Sequence, residues 1–241
     1  MKIYRANDYE ELSCLAADIV TERVNAVPDC VLGLATGSTP IGMYKQLVKR
    51  YNEGKLDFGK VKTVNLDEYV GLVPTHNQSY RYFMQNNLFD HINIDQKNTY
   101  VPNGVASDLE AECAEYNRVL EGLGGIDIQV LGLGHNGHIG FNEPSDYFEK
   151  DTHVVNLQQS TIDANSRFFA SYNDIPRRAI TMGIRSIMQA KTILMLVSGE
   201  AKADIVREAF MGPITPRVPA SVLQFHHNVV LVGDEAALSK L

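Results

Sequence analysis

The chain has 241 residues, long enough for one sizeable core, and an α/β pattern of this length predicts a single domain spanning 1–241. Its 22 Lys and Arg against 29 Asp and Glu give a formal charge of −7, with no basic cluster dense enough to grip a phosphodiester backbone, which argues against a nucleic-acid partner. A small phosphorylated ligand stays open, because one or two local cations and backbone N–H groups suffice to hold it. Cys14, Cys30 and Cys113 are far apart and lack C-x-x-C spacing, which favours a reducing compartment. Charges are scattered through MKIYRANDYEELSCLAADIV, where a signal peptide needs a continuous apolar core, and no later run is long enough to span a membrane, so a cytoplasmic protein with no membrane contact is expected.

Apolar runs that read as buried strands follow one another at 30–36, 61–66, 126–134, 178–183, 191–199 and 228–233. Their near-continuous apolarity predicts a sheet covered on both faces. Segments of helical period or composition alternate with them at 8–25, 40–53, 77–89, 107–121, 161–171 and 200–210. The alternation predicts an α/β fold: a doubly wound, mostly parallel sheet with helices on both faces, three-layered and Rossmann-like. Three prolines in MGPITPRVPAS (211–221) predict an ordered excursion serving as a lid or a pocket wall. Ligands of such sheets bind outside the carboxyl ends of the strands, so the residues following each strand are the place to look for chemistry.

The first strand is followed by LATGSTPIGMYKQL. Gly37, Ser38 and Thr39 form a small hydroxyl-rich turn, Pro40 suits a first helical turn, and the helix start offers free N–H groups with a favourable dipole. That is an anion cradle, although an ordinary strand-to-helix turn fits the same residues. It is not a Walker A loop, since no G-K-[ST] follows and Lys45 lies too far into the helix. The second strand ends in NLDEYVGL, where Asp67 and Glu68 make a carboxylate available as a base, or else are solvated or capping. Arg167 falls in a helix and Lys202 in the first turn of another. Lysine is mildly unfavourable at a helix start, so an anion beside Lys202 explains its position better than a solvated surface charge does.

Gly132 to Gly137 spell G-x-G-x-x-G after an apolar run. A dinucleotide site would continue into a helix and then a strand ending in an acidic residue about 20 residues on. Here HIGFNEP breaks any helix within a few residues, and no acidic strand end follows. A zinc reading of His135 and His138 lacks a third ligand nearby. The glycines therefore serve either to present His138, with Asn136 and Glu143 close in sequence, to a ligand, or to carry a structural loop histidine.

Taken together, LATGSTP, NLDEYVGL, SYRYFM, GLGHNGHIGFNEP, ANSRFF and VSGEAKA, in this order and spacing, make the chain similar to the glucosamine-6-phosphate deaminases, also called isomerases. LDEYVGL followed by GHIGFNEP is the specific part, because the related 6-phosphogluconolactonases share the glycine-rich segment but not FNEP. The resemblance implies conversion of D-glucosamine 6-phosphate and water to D-fructose 6-phosphate and ammonium, with no organic cofactor and no metal. It implies that His138 assists ring opening, with Asn136 and Glu143 orienting it, and that Asp67 moves a proton from C2 to C1. Gly37, Ser38 and Thr39, closed over by Arg167 and Lys202, would bind the phosphate.

Two departures stand out. Many members carry Asp where this chain has Asn136, which can orient a histidine but cannot share negative charge with it. The allosteric, hexameric members run longer than Leu241 and carry basic effector contacts where His153 and Val155 stand here, so the resemblance implies a monomer or small homo-oligomer with little activation by N-acetylglucosamine 6-phosphate. The rival readings are a lactone hydrolase of the 6-phosphogluconolactonase type and a sugar-phosphate sensor, the latter disfavoured because the fold starts too early to leave room for a helix-turn-helix.

Overall fold

The computed structural model describes residues 1–241. In chain order the elements are β1 (Lys2–Ala6), α1 (Tyr9–Ala26), β2 (Val31–Leu34), α2 (Ile41–Asn52), β3 (Lys62–Asn65), β4 (Asp67–Tyr69), α3 (Tyr80–Asn87), β5 (Thr99–Tyr100) and α4 (Leu109–Gly122). They continue with β6 (Ile128–Gly132), β7 (His153–Asn156), α5 (Gln159–Asn165), β8 (Arg178–Thr181), α6 (Ile184–Met188), β9 (Ile193–Val197), α7 (Ala203–Met211) and β10 (Val229–Asp234). No helix is long and apolar enough to cross a membrane.

Seven strands form one parallel sheet in the order β1-β10-β9-β6-β2-β3-β5. From β2 the chain steps outward through β3 to β5; from β6 it steps the other way through β9 to β10. The reversal lies between β2 and β6, and that switch point is where a doubly wound sheet opens a crevice at its carboxyl edge. The residues following β2 and β6 are the two glycine-rich segments singled out above. One apolar core runs from Ala6 to Leu238, filled by strands such as β9 whose five residues are all buried, as expected for a sheet covered on both faces.

Helix starts follow local chemistry. Asp8 caps α1, accepting from the Glu11 N–H at 2.8 Å, and Leu12, Ala16 and Val20 then repeat every four residues as a fully buried stripe. Ser79 and Asp108 cap α3 and α4 in the same way.

The run at 178–183, expected in the parallel sheet, lies elsewhere. Its β8 is the middle strand of a second, three-stranded antiparallel sheet ordered β4-β8-β7. Ala179 and Ile180 are both fully buried, so the run reads as a core strand whichever sheet holds it. Leu66 is the junction: its N–H donates to Leu34 O of the main sheet at 3.3 Å, and its carbonyl accepts from Met182 N of the small sheet's β8 chain at 2.7 Å. Asp67 is therefore the first residue after the chain changes sheets.

At the carboxyl end of β10, Asp234 ties the neighbouring strand's exit. Its carboxylate accepts from Ser198 Oγ at 2.5 Å, from Gly199 N at 2.9 Å and from Ala237 N at 2.8 Å, fixing the turn that leads into Lys202. Asp234→Ala is expected to lower stability by about 2–3 kcal/mol, because three donors lose a charged acceptor, as measured by equilibrium denaturation.

Candidate active site

A cleft opens at the switch point between the carboxyl ends of β2 and β6. Its walls include Gly37, Ser38, Thr39, Asp67, Asn136, His138, Arg167 and Lys202, so eight of the nine residues singled out from the sequence meet around one cavity. The ninth, Glu143, stands behind the wall and reaches the site through Asn136 and His138.

One end of the cleft is cationic. Gly37 has φ +95°, a left-handed backbone that favours glycine and lets the 36–39 turn fold back on α2. The N-cap residue of α2, Pro40, makes no side-chain cap, and apart from Gly42, which donates to Tyr9, the first N–H groups of the helix stay available. The Tyr9 hydroxyl braces the turn from behind: it lies 3.0 Å from the carbonyls of Ser38 and Thr39 and accepts from Gly42 N at 2.9 Å. Lys202 Nζ donates to Leu133 O at 2.6 Å, and burial, followed by the nearby Arg167 charge, pushes its ammonium down to about 8. Arg167 stacks its guanidinium over Phe168 at 4.7 Å, and neither cation has a carboxylate partner. His135, held below the usual imidazole range by burial and by Lys202, His138 and Arg167, completes an end suited to an anion.

The opposite wall carries His138, with Asn136 on the wall beside it and Glu143 behind. A Cβ on Gly134 would fall on the His138 ring, so this glycine makes room for the imidazole and not for a pyrophosphate. The second histidine lies 3.5 Å through Nδ1 from Glu143 Oε2. Asn136 does not touch the imidazole: its Oδ1 accepts from the His138 backbone N–H at 3.2 Å, and its Nδ2 donates to Glu143 Oε2 at 2.7 Å and to Gln158 Oε1 at 3.2 Å. Its action on the histidine runs through the backbone and through Glu143. Burial raises the Glu143 carboxyl, but hydrogen bonding and charge from His138, with help from Asn136, outweigh it and hold the group below the usual carboxylate range.

Asp67 faces the same cavity, 6% exposed and without a side-chain hydrogen bond or cation. Burial, then the Glu68 charge, pushes its carboxyl well above the usual range, the condition under which a carboxylate becomes a stronger base. Glu68 points the other way along the strand and accepts from the N–H groups of Tyr69, Tyr80 and Arg81 at 2.8, 2.9 and 3.0 Å. That bonding stitches β4 to the start of α3, which brings Tyr80 to the cleft wall.

Tyr9, Tyr80 and Gln158 had no role in the sequence reading. Tyr80 lies in the SYRYFM segment, but nothing in its spacing marks it as facing a cavity; Tyr9 and Gln158 act across folds of the chain and leave no local signal. The 211–221 excursion is ordered but does not wall this cleft. Its Pro216 carbonyl accepts from Ser145 N at 3.1 Å, Ala220 N donates to Gly137 O at 2.9 Å, and Arg217 pairs with Asp146, so it buttresses the glycine loop from outside. Its Pro216 and Pro219 wall a second pocket that Glu143 also lines. No three His, Cys, Asp or Glu side chains converge in a way that could hold a metal ion.

A cationic end, a buried carboxylate and a histidine beside a second carboxylate, around a crevice at the carboxyl edge of a parallel sheet, mark an α/β enzyme. The family described as glucosamine-6-phosphate isomerases/6-phosphogluconolactonase matches residues 7–232, and the chain belongs to it. A glucosamine-6-phosphate deaminase of Lachnoclostridium phytofermentans is 59% identical over 232 residues, covering 96% of this chain and 98% of the relative. One from Clostridium perfringens is 54% identical over 241 residues, the full length of both. The solved structure of a monomeric glucosamine-6-phosphate deaminase superposes with a TM-score of 0.98 at 46% identity over all of both chains. The 6-phosphogluconolactonase of Thermotoga maritima shares the fold alone, at a TM-score of 0.75 and 18% identity over 97% of this chain and 99% of that one.

Glu68 gives the site a signature in stability. Burial pushes its carboxyl up to about 7 from an ordinary 4.5, so the folded protein binds a proton that the unfolded chain has released, and stability falls as pH rises between those values. Glu68→Gln removes that titration. The stability of the wild type relative to this variant is expected to decline by about 3 kcal/mol between pH 4.5 and 7, measured by denaturant unfolding across that range.

Proposed function

We propose that this chain is a glucosamine-6-phosphate deaminase, converting D-glucosamine 6-phosphate and water to D-fructose 6-phosphate and ammonium. The observation that carries the reading is Asp67: a buried carboxylate with no cation beside it, facing a cavity shared with a histidine relay and two unpaired cations. The full-length likeness to deaminases from two species supports the same reaction.

The substrate phosphate occupies the cationic end, between the 37–39 turn and Arg167 with Lys202. The amine and C1 then lie toward Asp67 and His138. His138 takes the proton from the C1 hydroxyl and returns one to the ring oxygen, and Glu143 stabilises the imidazolium in between. Opening the ring matters because only the acyclic form has the C1 carbonyl that acidifies the C2–H. Asp67 removes that proton; the C2–H pair becomes a C1=C2 double bond, and the C1 oxygen takes a proton from the substrate's own C2 ammonium group, giving an enolamine. Return of the proton to C1 leaves an imine at C2. Water adds to the imine and ammonium departs, so one water is consumed for each ammonium released.

The deciding assay measures ammonium from glucosamine 6-phosphate, run beside N-acetylglucosamine 6-phosphate and 6-phosphogluconolactone. Only the first should react, and turnover of the lactone instead would favour hydrolase chemistry. Asp67→Asn should cut ammonium release about 10³-fold, the scale of a lost general base, while binding of a non-reactive phosphosugar stays within a few fold by calorimetry.

Regulation is expected to be simple. His153 and Val155 line the second pocket with Glu143, His153 is tied to Asp151 O at 2.8 Å, and the pocket's other ionisable side chains, Glu143, Tyr147 and Glu149, provide no cation for a phosphate. Initial rates should be hyperbolic in substrate and unchanged by N-acetylglucosamine 6-phosphate. A sigmoidal curve that becomes hyperbolic on adding that compound would count against this reading.

A further inference from the structure

The ring-opening step requires Glu143 to keep one orientation against His138, and two of the bonds around it, one direct and one through Asn136, lead to Gln158. This half-buried residue holds the N-cap position of α5, where its side chain makes no capping bond and is turned to other partners. Its backbone N–H donates to Glu143 Oε1 at 3.3 Å, its side-chain Oε1 accepts from Asn136 Nδ2 at 3.2 Å, and its Nε2 donates to Pro144 O at 3.0 Å. One residue thus bonds to both members of the relay other than the histidine, and to the carbonyl next to Glu143. We infer that Gln158 is a positioning residue for the histidine relay, setting the amide of Asn136 and the carboxylate of Glu143 so that Glu143 Oε2 is aimed at His138. The inference rests on the deaminase reading above.

Donor and acceptor matching makes the arrangement unique. Asn136 Oδ1 must accept from the His138 backbone N–H, so Nδ2 is the end that faces Glu143. An amide nitrogen there carries two hydrogens; one goes to Glu143 and the other needs an acceptor. Gln158 supplies it with Oε1, and that orientation is itself fixed because Nε2 must donate to Pro144 O. Turning either amide over would set oxygen against oxygen at one end and donor against donor at the other: a flipped Asn136 meets Glu143 and Gln158 with its oxygen and the His138 N–H with its nitrogen, and a flipped Gln158 meets Pro144 O with its oxygen and Asn136 Nδ2 with its nitrogen. With both amides locked, Glu143 receives the donors that hold it ionised, and its Oε2 is shared between Asn136 and His138. Asn136 and His138 line the cleft but Gln158 does not, so Gln158 acts through them and not on substrate.

Gln158→Met, which keeps length and removes both polar atoms, should lower kcat for ammonium release about tenfold with KM for glucosamine 6-phosphate within about twofold, the signature of lost alignment without lost binding. The acid limb of its kcat–pH profile should move to higher pH, because a Glu143 with looser donors protonates more readily. The loss should also be non-additive: on an Asn136→Ala background, Gln158→Met should cost less than twofold. Gln158→Glu, which keeps an acceptor for Asn136 but sets a carboxylate against the Pro144 carbonyl, should show the same direction and provides the cycle if the Met variant does not fold. A wild-type kcat and pH profile in a folded Gln158 variant would overturn the inference, as would equal losses on both backgrounds, the mark of a general packing role. Absence of ammonium release by the wild type would overturn the deaminase reading and this inference together, and is read separately from the variants.

Discussion

Two kinds of charge without a partner inside the protein organise the cleft: the Asp67 carboxylate on one side, Arg167 and Lys202 on the other. Buried Asp67 and half-buried Lys202 cost the fold, since a buried charge is tolerated only when something else stabilises the state that holds it, whereas Arg167 is exposed. The parallel sheet supplies that stability through a core that spans nearly the whole chain, leaving the switch point free to be electrostatically unsatisfied. A ligand with an anionic tail and an acidic C–H at its other end satisfies both sides at once. The cavity is therefore selective by charge before any hydroxyl of the substrate is considered.

The placement of Asp67 shows how topology generates such a site. A carboxylate continuing along β3 would stay in the register of the main sheet. Because the chain leaves that sheet at Leu66 and starts an antiparallel ribbon at once, successive side chains are presented to different surroundings. Asp67 meets the cleft without a donor, whereas Glu68 meets three backbone N–H groups. Adjacent residues of the same chemical type thus take unlike roles: one is left reactive, and the other both pins α3 and lends its charge to raise the first.

Five of the seven parallel strands were legible because they fall in runs that are mostly apolar, and the major helices because they repeat apolar residues at helical spacing. β1, β4, β5 and β7 were not. Four of the five residues of β1 are exposed at a sheet edge, β4 and β5 have three and two residues, and no residue of β7 is fully buried. Hydropathy carries little information about strands of that kind, and it also cannot tell which of two sheets a buried run such as 178–181 joins. At the site, Asp67, His138 and the glycine turn could be read because strand ends and helix starts are marked locally. Gln158 could not, because its value comes from meeting Asn136 and Pro144 across 22 and 14 residues of chain. The Gly134 position shows the limit from the other direction: its motif resembles a nucleotide loop, and only the imidazole packed against it reveals what the missing side chain is for.

The relay and the anion end are not independent. α5 begins just after Gln158 and runs straight into the short 3₁₀ turn that carries Arg167, while its Asn165 donates to the Tyr69 hydroxyl at 3.0 Å, next to Asp67 in β4. Seven residues of helix span only about 10 Å, so Arg167 at the cationic end and Gln158 beside Glu143 stand at the two ends of one short element. An anion bound at the first would bear on the second, which gives binding energy at one end of the cleft a route to the carboxylate behind His138.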